Sequence, residues 1–116
     1  MNFDEALMEE WIAKYRQFLL DFTSLFTLRR PRSRRVEGQR IREELIKSLR
    51  ELYELASRYA KSQRVKIREK ERWAKLSAYI AQTINTILKT HDELEVEEAI
   101  EELKNYVESH VQTQRA

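Results

Sequence analysis

The sequence predicts an all-α fold, a small antiparallel bundle of about four helices that forms one domain over residues 1–116. Turns usually need glycine or proline, and the chain contains one of each. Most of the other residues are leucine, isoleucine, alanine, glutamate, lysine and arginine, which favour helices. Apolar residues recur at spacings of three and four, the pattern of one helix face, in successive stretches of the chain. A chain of this length can bury a single core.

The first helix is predicted over residues 3–28. Its apolar stripe is broad and aromatic, and it includes the four phenylalanines of the chain. A stripe this broad indicates a helix that packs on more than one side, either at the centre of the bundle or against a partner. Core packing is one interpretation. The other is a partner-binding surface made by Trp11, Tyr15, Phe18, Phe22 and Phe26.

A basic linker is predicted at residues 29–38, between the first and second helices. Pro31 disfavours helical geometry at the preceding residue, and Gly38 closes the segment. Five arginines crowd its first half: Arg29, Arg30, Arg32, Arg34 and Arg35. One interpretation is a solvated loop whose first arginines complement the end of the helix dipole. The alternative is an anion-binding loop, because the planar guanidinium group suits phosphate.

The second and third helices are predicted over residues 39–60 and 65–89. The apolar stripe of the second helix ends at Tyr59 and resumes only at Trp73, with polar residues at the intervening stripe positions. No glycine or proline marks a break, so a tight turn near residues 61–64 and a continuous helix both fit the pattern. A compact bundle of this size requires the turn. In either arrangement, residues 64–72 should be more exposed than their neighbours.

A fourth helix is predicted over residues 93–113. Thr90 with Glu93 forms a capping-box pattern, and Asp92 with Glu95 is an alternative start. The outer face of this helix is strongly acidic.

Charge is segregated along the chain although the formal net charge is only +2. Residues 1–28 hold five acids and two bases, residues 29–75 seven acids and seventeen bases, and residues 76–116 eight acids and three bases. The middle of the chain therefore carries a net charge of +10 between two acidic parts. Such segregation favours association with charged partners.

The residues that catalysis would require are missing from the sequence. There is no cysteine, no glycine-rich phosphate loop and no nucleophile motif. Neither His91 nor His110 stands at the Glu-x-x-His spacing of a di-metal bundle. We therefore expect no enzyme activity, cofactor, metal site or small-molecule substrate.

The location expected for this chain is cytoplasmic, or nuclear in a eukaryote. No apolar run is long enough to span a membrane, and the acidic N-terminus is unlike a signal peptide. The abundance of lysine, arginine and glutamate, without cysteine, is also typical of thermophile proteins.

The leading functional hypothesis is a non-catalytic nucleic-acid-binding accessory subunit with low sequence specificity. Phosphate contacts would come from the arginine-rich loop and the basic start of the third helix. The predicted nucleic-acid-binding residues are Arg29, Arg30, Arg32, Arg34, Arg35, Arg64, Lys66, Arg68, Lys70 and Arg72. Base stacking should be minor, because the basic region has few exposed aromatic residues. DNA and RNA, single and double strands, all remain open.

The alternative hypothesis is a protein-interaction bundle, either a homodimer or a subunit of a larger assembly. The aromatic first helix would supply the contact, and the basic and acidic faces would set its register. Small helical bundles with segregated charge recur among accessory subunits of replication, repair and RNA-guided machines. That analogy concerns the fold, and fold does not determine function.

Overall fold

The computed structural model describes residues 3–27 and 35–112, and within these ranges it contains only helices and their connections. The helices are α1 (Phe3–Thr27), α2 (Arg35–Lys61), α3 (Ile67–Lys89) and α4 (Glu93–Val107). A π-helical segment, Glu108–Gln112, continues α4. The predicted all-α bundle of four helices is confirmed.

Two helix starts differ from the prediction. Helix α2 begins at Arg35 instead of residue 39, so residues 35–38 of the predicted linker are helical. Gly38 thus lies inside the helix, where a glycine costs about 1 kcal/mol relative to alanine but does not end it. Helix α3 begins at Ile67, two residues later than predicted. The remainder of the predicted linker, residues 29–34, lies outside the described residues.

The predicted turn between α2 and α3 is present, although it uses neither glycine nor proline. The backbone N–H of Ser62 donates to Tyr59 O at 3.2 Å, and that of Val65 donates to Ser62 O at 3.3 Å. The Ser62 hydroxyl accepts from the backbone N–H of Arg64 at 3.2 Å. Val65 is buried in the core, in contrast to its exposed neighbours. A serine turn and one buried anchor therefore reverse the chain.

The connection from α3 to α4 selects one of the two predicted helix starts. The Asp92 carboxylate accepts from the backbone N–H of Leu94 at 2.9 Å, which makes Asp92 the N-cap of α4. The Thr90 hydroxyl accepts from the backbone N–H of Asp92 at 3.0 Å and donates to the Glu95 carboxylate. Glu95 therefore holds Thr90 and does not close a capping box on Asp92.

Four aromatic side chains form the centre of the core, where α1, α2 and α3 meet. Trp11 stacks on Tyr15 with centroids 5.3 Å apart, and Trp73 meets Trp11 and Tyr59 edge-on at 6.2 and 4.9 Å. The Trp11 indole N–H donates to Leu52 O at 3.1 Å and so fixes α1 against α2. Consecutive helices, joined by short connections, pack as antiparallel neighbours.

The predicted partner surface on α1 lies mostly inside the molecule. Trp11, Tyr15 and Phe18 are at most 3% exposed, so they belong to the core and form no surface. Phe22 is half-buried and stacks on Phe18 with a centroid distance of 6.4 Å. The side chain of Phe26 lies outside the described part of the chain. Core packing, the other interpretation of this stripe, accounts for the first three residues.

Candidate nucleic-acid interface

Cationic side chains concentrate at the end of the bundle where α2 turns into α3. Between Arg58 and Lys70 the chain carries six cations and a single carboxylate, that of Glu69. We call these six residues the basic turn: Arg58, Lys61, Arg64, Lys66, Arg68 and Lys70. All are exposed except Lys70, which is half-buried. The turn therefore presents a dense positive surface to solvent.

Arg72, the last of the predicted nucleic-acid-binding residues, is less available than the basic turn. It is half-buried and pairs with Glu69 across one helical turn at 2.5 Å. That pairing already uses part of its hydrogen-bonding capacity. Of the five predicted residues in this region, Arg64, Lys66 and Arg68 are thus the most exposed.

The N-terminus of α3 adds to the positive potential of the basic turn. Lys66 is its N-cap, with φ −65° and ψ 152°, and among the described residues its side chain makes no capping hydrogen bond. Serine, threonine, aspartate or asparagine normally fills this position and satisfies a free backbone N–H. A helix N-terminus also carries partial positive charge, so a cation there destabilises the helix and a bound anion stabilises it.

Of the predicted arginine-rich loop, the structure describes only the backbone of Arg35, and this residue lies far from the basic turn. Arg35 begins α2, whereas the basic turn starts near its other end. A helix of 27 residues is about 40 Å long, so α2 separates them by roughly that distance. Arg29, Arg30, Arg32 and Arg34 lie outside the described residues, as does the side chain of Arg35.

A groove lined by carboxylates, which we call the acidic groove, lies away from the basic turn. It has a volume of about 260 Å³ between α3 and α4, and its carboxylates are those of Glu95, Glu98 and Glu102. The hydroxyl of Tyr79 donates to Glu102 O at 3.5 Å, which places Glu102 level with Tyr79 on α3. Tyr79 is twelve residues from the start of α3, a rise of about 18 Å. Salt screens charges separated by more than about 10 Å, so these acids do not neutralise the basic turn.

A stack of three rings forms a feature that the sequence did not predict. Tyr79 of α3 stacks on Tyr106 of α4, and Tyr106 stacks on His110, each with a centroid distance of 4.4 Å. A pocket beside the stack is lined by Arg72, Lys75, Tyr106 and His110, among others. The spacing of four residues between Tyr106 and His110 indicates a shared helix face. Their meeting with Tyr79 depends on how α3 and α4 pack, which the sequence does not show.

In the part of the chain that the structure describes, no group of three or more histidine, aspartate or glutamate side chains is placed to hold a metal ion. None of the helices in residues 3–27 and 35–112 combines the length and apolar composition of a membrane span.

Comparisons of the chain with protein-family models, curated proteins and solved structures gave no match. The function is therefore inferred from the residues and their arrangement.

Proposed function

We propose that this protein is a non-catalytic nucleic-acid-binding subunit that contacts the phosphate backbone through the basic turn. The observation that carries the proposal is the concentration of six cations and one carboxylate in the segment from Arg58 to Lys70, where the chain reverses between α2 and α3. Such a protein would act inside the cell, in the cytoplasm or nucleus, as an accessory to a larger assembly.

Phosphate is the anion that best suits this surface. The arginines of the basic turn offer forked donors for phosphate oxygens, and the lysines offer point charges. Like charges at this density repel one another in the free protein, and Lys66 opposes the dipole of α3. A bound polyanion would reduce both the repulsion among the cations and the unfavourable interaction of Lys66 with the helix dipole. Because backbone contacts carry no sequence information, we expect low sequence specificity.

The test is a nucleic-acid titration over a series of salt concentrations, with duplex and single strands. Each neutralised phosphate contributes about −0.9 to the log–log salt slope on duplex and about −0.7 on single strands. Replacing Arg64, Lys66 and Arg68 by alanine should weaken binding to all sequences and flatten the slope by about 2 to 3. Exposed cations contribute little to stability, so the variant should remain folded.

A matched control removes the same charge elsewhere. Lys14, Arg16 and Lys47 are exposed cations outside the basic turn. Their replacement by alanine should leave the salt slope nearly unchanged. Equal losses from both triple variants would show that net charge, not the basic turn, governs binding. No binding at low salt to either duplex or single strands would reject the proposal.

A second candidate function is self-association. The acidic groove and the basic turn lie on the same chain at separate positions, so copies could join head to tail with complementary charge. Light scattering at low and high salt tests this. A low-salt oligomer abolished by Glu98→Gln and Glu102→Gln would favour it, whereas a monomer throughout would exclude it.

A further inference from the structure

The stack of Tyr79, Tyr106 and His110 ends in an exposed ring. The interplanar angles are 20° between the two tyrosines and 18° between Tyr106 and His110, so the rings are nearly parallel. The tyrosines are half-buried, and His110 is exposed. Aromatic faces presented in this way are the platforms on which proteins stack the bases of single-stranded nucleic acids.

Hydrogen bonds hold the stack in place without any ligand. His110 Nδ1 lies 3.2 Å from Tyr106 O, and a carbonyl oxygen only accepts, so Nδ1 donates. The Tyr79 hydroxyl donates to Glu102 O. The π-helical segment Glu108–Gln112 places the imidazole over Tyr106. A ring fixed in advance loses little conformational entropy when a ligand stacks on it.

Cations adjoin the rings. Arg72 and Lys75 line a pocket of about 130 Å³ together with Tyr106 and His110. Lys75 is exposed, and Arg72 follows the last cation of the basic turn by two residues. A nucleotide whose base stacks at this pocket would therefore have its phosphate close to positive charge, with further cations along α3.

We propose that the exposed face of His110 receives an unpaired base, so that the protein prefers single-stranded nucleic acid to duplex. This inference rests on the proposed function, because the phosphates of the same strand would follow Lys75 and the basic turn. In a duplex the bases stack on one another and are unavailable to the imidazole. A single strand can supply both a base and its phosphates.

The experiment compares three proteins, wild type, His110→Ala and His110→Phe, on a single strand and on an abasic strand of equal length. His110→Ala should weaken single-strand binding about 5- to 150-fold, the range for one stacked base. His110→Phe keeps an aromatic face and should keep most of the affinity. Because stacking releases no counterions, His110→Ala should leave the salt slope unchanged. All three proteins should bind the abasic strand equally.

His91→Ala is the matched control, since His91 is the other histidine, is exposed, and lies at the α3–α4 connection. It should bind as wild type does. Equal losses from His110→Ala and His110→Phe would overturn the stacking role, because both lose the bond to Tyr106 O. Equal wild-type affinity for normal and abasic strands would also overturn it and leave the proposed function standing. Absence of binding to every strand would reject both.

Discussion

At the level of single residues, three side chains show that burial does not guarantee a hydrogen-bond partner for a polar atom. Trp11 and Trp73 are both at most 1% exposed. The Trp11 indole N–H has Leu52 O as its acceptor, whereas that of Trp73 finds no partner among the described residues. The Tyr15 hydroxyl is likewise buried without a partner in the described chain. Helical periodicity placed all three in apolar stripes, but it carries no information about their polar atoms.

The buried hydroxyl of Tyr15 predicts how the stability of the folded protein depends on pH. Burial, and then the carboxylates of Glu108 and Glu101, raise the pKa of Tyr15 above its ordinary value of 10.0. The unfolded chain therefore loses this proton first as pH rises. Above about pH 10 the unfolded state binds fewer protons than the folded state, so stability should fall as pH rises further. Below pH 10 both states are protonated, and the contribution is constant.

Tyr15→Phe should reduce this alkaline loss of stability. Urea unfolding at neutral pH and above pH 10 measures this loss as a difference in the free energy of unfolding. At neutral pH the free energy of unfolding should not decrease, because phenylalanine keeps the ring and removes an unpartnered hydroxyl. Burial, and then the carboxylate of Glu10, also raise the pKa of Tyr59, so adding Tyr59→Phe should reduce the alkaline loss further. An alkaline decline of the same size in wild type and both variants would contradict this account.

At the level of elements, the start of α3 is less stable than a capped helix start, because Lys66 occupies the N-cap position without a capping hydrogen bond. Replacing Lys66 by serine should raise the free energy of unfolding by about 0.5 to 2 kcal/mol, because serine caps the free N–H groups. The same change should weaken nucleic-acid binding and flatten the salt slope by about 0.7 to 0.9, the share of one phosphate. Urea unfolding and the salt titration measure the two effects.

Lys61→Ser provides the control for that prediction. Lys61 is an exposed cation of the basic turn, but it lies in the last turn of α2, where positive charge favours the helix. Its replacement should weaken binding without any gain in stability. A gain in stability from both substitutions would indicate relief of charge repulsion and not capping.

The sequence predicted the elements well where periodicity was strong and less well at their ends. The lapse in the stripe after Tyr59 and the need for compactness were sufficient to predict the turn. The early start of α2 was missed because Gly38 resembles a helix breaker, although a single glycine costs a helix only about 1 kcal/mol relative to alanine and does not end it. The π-helical end of α4 was missed because an apolar stripe does not distinguish hydrogen-bond patterns of four and five residues.

For the whole molecule, the distance along α2 between the basic turn and Arg35 predicts that affinity depends on the length of the duplex. The basic turn is one cationic group, near the end of α2, and the second group in the sequence ends at Arg35, where α2 begins. A distance of about 40 Å corresponds to about 12 base pairs of duplex. Shorter duplexes should reach only one group, so the salt slope should steepen once the duplex exceeds that length. Titrations with a series of duplex lengths measure this effect.

The triple variant Arg32→Ala, Arg34→Ala and Arg35→Ala isolates the second group. For this variant, the salt slope on long duplexes should equal the salt slope on short ones. A steepening that survives in the variant would assign the length dependence to other cations.

The two parts of the candidate interface differ in how far the sequence predicts them. The cations of the basic turn lie close together in the chain, so charge alone predicted four of the six as binding residues, namely Arg64, Lys66, Arg68 and Lys70. The stack of Tyr79, Tyr106 and His110 joins positions up to 31 residues apart and exists only because α3 packs against α4. Its recognition requires the tertiary structure.

The position of the two tryptophans determines what intrinsic fluorescence can report. They are the only tryptophans in the chain, and their rings lie 6.2 Å apart where α1, α2 and α3 meet. Trp11 therefore reports on the packing of those three helices, whereas Trp73 also lines a pocket with Tyr106 and His110 and so reports on α4 as well. If α4 detaches before the other helices, a fluorescence melt should show two transitions, and the imidazole proton signals of His110 in NMR should follow the first.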